Sequence, residues 1–138
     1  MKNVNFKDIS SKEVVVSWIC QIIIAVVLAK ASLSKFMDDE MTILVFKTLK
    51  GMESTRFVIA TIEALAAFLL LTKTLPHYGA LLGLGTMMGA FIAHSTVLGF
   101  TSNKELMMMS ILMLFVTALS FVVIWINRKR FPFIGQTF

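Results

Sequence analysis

Glu63, His94, Lys30 and Lys35 are the residues of this chain whose chemistry stands out, because each lies within or at the border of a long apolar run. Glu63 comes seven residues after Arg56, about 10 Å along a helix. His94 comes six residues before Phe100, and Lys30 six before Phe36, each roughly 9 Å from the same side. A carboxylate, an imidazole and an ammonium from three different helices are therefore expected at one depth. Pairing Glu63 with Lys30 would offset much of the cost of burying either charge. His94 would be the group able to change protonation near neutral pH. Such a set could hold a polar head group and move protons. It could equally be a clamp that sets helix register, with Lys30 reaching outward along its aliphatic stem.

The elements that must position these groups are apolar runs over 14–36, 57–75, 78–100 and 105–126. Each is about 20 residues, the length a helix needs to cross ~30 Å of hydrocarbon. The 138-residue chain is 57% hydrophobic and 15% charged, so a water-soluble domain of this size could not hide four such helices. The expectation is a single all-α domain over 1–138, an integral membrane four-helix bundle with a short amphipathic helix in its longest outer loop. The net charge of +5 does not point to nucleic acid, because the basic residues flank the apolar runs. Lys2, Lys7 and Lys12 precede the first run, Lys73 sits near the end of the second, and Arg128, Lys129 and Arg130 follow the fourth. The excess of positive charge inside predicts a multi-pass inner (plasma) membrane protein with both termini cytoplasmic. The first run also has the shape of a signal peptide, but a closed bundle needs it as an uncleaved span.

Several chemistries are excluded. The one cysteine, Cys20, cannot run a thiol–disulfide relay and reads as a small buried hydrophobe. His77 and His94 stand 17 residues apart, near opposite ends of one helix, so they cannot share a metal ion. The outer loop from Met37 to Thr55 opens with Asp38-Asp39-Glu40, which reads as a solvated helix start. Met41, Leu44, Val45 and Leu49 then share one helical face, with Gly51 as the stop. This short helix would lie over the polar cluster as packing or as a gate. Gly79–Gly83 and Gly85–Gly89 give the third run two small-xxx-small pairs, suited to close helix contact inside the bundle or with a second copy. Ten methionines fill the core by default, and Met88, Phe91 and Met108 are the candidates for the apolar wall of a ligand cavity.

Three segments carry a resemblance. Ala31-Ser32-Leu33-Ser34-Lys35-Phe36 closes the first run, Ile62-Glu63-Ala64-Leu65-Ala66-Ala67 sits in the second, and Met87-Met88-Gly89-Ala90 precedes His94 in the third. With these the chain resembles the DoxX-like family of small four-helix membrane proteins over roughly 14–100, although Ala64, Ala66 and Ala67 stand where the family often has a Gly-rich stretch. The resemblance implies a role in membrane redox metabolism, as in quinone-reducing subunits of thiosulfate oxidation.

Two function classes stay open. In the first, Lys30, Lys35, Glu63 and His94 hydrogen-bond a quinone head group in a redox-associated subunit. The chain holds no electron carrier of its own in its sequence, so that reading requires an electron-donating protein partner. In the second, the chain is a non-enzymatic accessory, assembly or lipid-binding protein and the polar residues are architectural. A small proton-coupled transporter fits less well, since its carboxylate should lie nearer the midplane and stay free to titrate.

Overall fold

The computed structural model describes residues 10–50, 54–99 and 103–131. Five α-helices account for most of them, and no strand occurs among the described residues. Helix α1 runs Ser11–Phe36 and starts from a capping box: Ser10 Oγ accepts from the Glu13 amide, and Glu13 returns a bond to the Ser10 amide. Helix α2, Glu40–Thr48, is capped by Asp39, whose carboxylate accepts from the Thr42 amide at 3.2 Å. The acidic run is thus a helix start, with Glu40 in the first turn at the positive end of the dipole. Gly51, the expected stop, lies outside the described residues, and α2 ends at Thr48.

Helix α3 spans Thr55–Leu70, shorter than the 57–75 run suggested. The apolar pattern continues to Leu75, but the backbone leaves the helix early. Thr72 Oγ1 donates to the Leu69 carbonyl at 2.6 Å and accepts from the Leu75 amide at 3.2 Å, which folds 71–75 into a turn. Pro76 follows, a residue suited to the first turn of the next helix and hostile to helical geometry in the one before it. Helix α4 begins there, runs Pro76–Ala93, and passes into a π-helical turn over His94–Leu98. Gly99 ends it with φ 76, a conformation that a side chain would strain. Helix α5, Lys104–Ile126, is capped by Asn103, whose Oδ1 accepts from the Leu106 amide at 2.8 Å. A single 3₁₀ turn, Arg128–Arg130, follows.

Helices α1, α3, α4 and α5 pack in a ring, each against the next, while α2 rests on the end of α1 and on the π-helical turn. Among the described residues three helical stretches are long and apolar enough to cross a membrane: Ser11–Phe36, Pro76–Leu98 and Lys104–Ile126. The side-chain distribution agrees with a lipid environment. Ser17, Gln21, Ser32, Glu63, His94, Ser110 and Ser120 face inward, whereas Ile19, Val26, Phe68, Ile92, Leu114 and Phe121 face outward. Water would not tolerate that surface, and hydrocarbon favours it.

Small residues set the helix spacing. A Cβ on Gly79 would come within 2.7 Å of the Leu70 amide nitrogen and 2.8 Å of the Ala66 carbonyl oxygen, so α3 and α4 touch backbone to backbone there. Gly83 faces Leu28 of α1. Gly85 and Gly89 have nothing within 4 Å of the same position, so the second small-residue pair lies on the outside of the bundle.

Candidate functional site

The expected meeting of charges occurs with a different lysine. Lys35 Nζ lies 2.8 Å from Oε2 and 3.1 Å from Oε1 of Glu63, whose residue is 3% exposed. The same ammonium donates to the Ala31 carbonyl at 3.3 Å, so the side chain doubles back along α1. Helical side chains lean toward the N-terminus of their helix. In the antiparallel pair α1–α3 this brings Lys35 and Glu63 together between the backbones of the two helices. Alongside, Ser32 Oγ donates to the Ala60 carbonyl at 2.7 Å. Lys30 is exposed and points away from this contact. The reason is azimuth: Leu28, Ser32 and Lys35 recur at four- and three-residue steps on the buried face, while Lys30 is turned about 200° from Leu28.

His94 is also buried, but in another contact. Its Nδ1 lies 2.9 Å from the Gly99 carbonyl and 3.4 Å from Ser110 Oγ of α5. A carbonyl only accepts, so Nδ1 carries the proton in the 2.9 Å bond. The imidazole thereby closes the π-helical turn and ties it to α5. The proposed three-residue cluster is therefore split: Glu63 and Lys35 join α1 to α3, His94 joins the end of α4 to α5, and Lys30 belongs to neither.

Helix α2 lies across this end of the bundle with Thr42 and Phe46 buried and Leu44 exposed. Of the expected face, Met41, Val45 and Leu49 are half-buried and only Leu44 is exposed, so the covered face is centred on Thr42 and Phe46. Asp38, in the left-handed region at φ 54, pairs with Arg56 at 2.6 Å, and the Arg56 guanidinium sits 4.6 Å from the Phe57 ring centre. These contacts fasten the loop to the start of α3. Met88, Phe91 and Met108, the expected apolar wall, all lie on the outer surface of the bundle.

The fold forms a cavity at the other end. It measures about 240 Å³ and is bounded by Ser17, Trp18 and Gln21 of α1, Lys73 of the α3–α4 turn, and Asn127 and Arg130 after α5. Asn127 Nδ2 donates to Ser17 Oγ at 3.0 Å and to the Val123 carbonyl at 2.9 Å. Arg130 Nη1 donates to the Lys73 carbonyl at 2.9 Å. Burial pulls the Arg130 guanidinium below its ordinary value, although a guanidinium keeps its charge in proteins. Close by, His77 is buried against Tyr78 and takes the Phe131 ring edge-on at 4.7 Å. Charge alone would not have flagged this region. The signal was two polar side chains, Ser17 and Gln21, on the same helical face as Cys20, Ile24 and Leu28 in an otherwise apolar run.

Among the described residues no group of three His, Cys, Asp or Glu side chains could hold a metal ion. Comparison with protein-family models, with curated proteins and with solved structures returned no match.

Proposed function

We propose that the chain is a DoxX-like four-helix protein of the inner membrane, with α3 as the fourth crossing, and that it works as a non-enzymatic accessory or assembly subunit. The observation that carries this reading is the Lys35–Glu63 pair. It sits in the contact between α1 and α3, with Ser32 bonded to Ala60 beside it. A carboxylate held by an internal ammonium at 2.8 Å is matched within the fold, and its role is to hold two helices in register. The outward apolar faces then supply the contact with lipid or with a partner protein. Helix α3, 16 residues and about 24 Å long, is short for a crossing on its own. It packs between α1 and α4, both long enough to span.

A second reading, the redox-associated subunit, draws on the π-helical turn at His94. Such turns cluster at functional sites, because the extra residue redirects a side chain. There, the imidazole would face the head group of a quinone, and an electron-donating partner would reduce it. Titrating the purified full chain with a short-tailed ubiquinone analogue separates the two. The accessory reading expects no saturable binding. Saturable binding that His94→Ala abolishes, with helicity unchanged, would replace it with the redox reading.

A further inference from the structure

We propose that the cavity between Gln21, Lys73 and Arg130 is a binding site for a phosphate-bearing anionic head group. The starting point is a mismatch in a buried amide. Gln21 is 3% exposed, its Nε2 lies 2.6 Å from Ser17 Oγ, and its Oε1 has no partner. Ser17 Oγ already accepts from Asn127 Nδ2. A separation of 2.6 Å is short for N–H···O and ordinary for O–H···O. The two ends of a carboxamide exchange by a half turn, and the bonding network decides between them. With the amide turned over, Asn127 donates to Ser17 and Ser17 donates its hydroxyl proton to Gln21 Oε1. The Gln21 NH₂ is then the one member of this chain of bonds left without a partner, on a side chain that lines the cavity.

The charges around the cavity select an anion for that donor. Lys73 and Arg130 line it, and no carboxylate is among its described lining residues. Helix α4 opens on the same wall at Pro76 with no side-chain cap, so the positive end of its dipole adds to the field. Trp18, half-buried on the rim, is the side chain that favours the level of lipid head groups. The volume far exceeds the roughly 30 Å³ share of one water. A basic pocket between membrane helices suits an acidic phospholipid, and the same donors would accept a soluble phosphate. The site stands some 27 Å along α1 from Lys35, so it can fail while the clamp at the other end stands.

The test uses the purified full chain in detergent, with native mass spectrometry for added dioleoyl phosphatidylglycerol or dioleoyl phosphatidylcholine and a thermal shift assay for inorganic phosphate. Phosphatidylglycerol retained at one per chain, with phosphatidylcholine lost, assigns the site to lipid. A phosphate-induced stabilisation without lipid retention assigns it to a soluble ligand. In either case Lys73→Gln, on the exposed rim, should weaken binding about fivefold, and Gln21→Leu should weaken it further. Should Gln21→Leu fail to fold, Lys73→Gln alone decides. The proposal is overturned if neither probe binds, or if binding is the same in Lys73→Gln as in the unaltered chain, the behaviour of lipid held nonspecifically around the bundle.

Discussion

Lys35 and Glu63 form a contact whose value depends on both members being present. Removing one leaves an uncompensated charge between α1 and α3, a loss of about 3 kcal/mol, while removing both leaves only a packing defect. Glu63→Gln and Lys35→Met should each lower the melting temperature in detergent. The double variant Glu63→Leu/Lys35→Met should recover part of the loss. Lys30→Met, in contrast, should leave the melt unchanged, because Lys30 is exposed and outside the pair. Additive effects of the Glu63 and Lys35 changes, or a Lys30 variant as damaging as either, would reject the assignment. Estimating depth along each run brought Glu63 and a lysine to one level. It did not choose between Lys30 and Lys35, since depth counts residues along the axis and ignores rotation about it. The buried recurrence of Leu28, Ser32 and Lys35 carries the missing angle.

At the scale of the elements, α3 and α4 depend on a place where α4 carries no side chain and its backbone meets that of α3. The Cβ of Gly79→Ala would press on the Leu70 nitrogen and the Ala66 oxygen, both backbone atoms that cannot swing aside. Forcing the helices apart should destabilise the bundle by about 1–3 kcal/mol. Gly85→Ala and Gly89→Ala meet open space, so each should leave stability unchanged or raise it slightly through helix propensity. Chemical unfolding of the three variants checks the order. If Gly85→Ala or Gly89→Ala instead shifts the size of the purified particle, the outward pair joins two copies of the chain. In the sequence the two glycine pairs are equivalent. Only the packing of α3 along one side of α4 separates them. The end of α3 was hidden for a related reason: hydropathy runs unbroken to Leu75, and the turn depends on the hydroxyl of Thr72 and on Pro76, which hydropathy does not weigh.

For the molecule as a whole, the open question is the number of crossings. By their order in the sequence, seven basic residues, Lys2, Lys7, Lys12, Lys73, Arg128, Lys129 and Arg130, flank the runs on the side predicted to be cytoplasmic, and five, Lys35, Lys47, Lys50, Arg56 and Lys104, on the other. Pairing within the fold engages Lys35 with Glu63 and Arg56 with Asp38. In a Cys20→Ala background, single cysteines at Lys12, Lys73 and Lys129 should resist an impermeant thiol reagent in whole cells, while those at Thr48 and Asn103 should react. If α3 does not cross, the pattern changes in a defined way: Lys73 and Lys129 become reactive and Asn103 becomes protected.

Run length and composition were sufficient for the helical class, for helices long and apolar enough to cross a membrane, and for the approximate limits of α1, α4 and α5, because the cost of unpaired backbone groups in hydrocarbon leaves a chain of this kind few alternatives. Local chemistry was sufficient for the helix start at Asp38-Asp39-Glu40, where the capping bond joins residues only three positions apart. What lies between helices was out of reach. The choice of Lys35 over Lys30, the separation of His94 from Glu63, the outward placement of Met88, Phe91 and Met108, and the polar cavity at Gln21 all depend on how each helix is rotated about its axis. That rotation is set by the sum of small-residue contacts such as Gly79 against Ala66 and Leu70, a property of surfaces that meet only after the chain has folded.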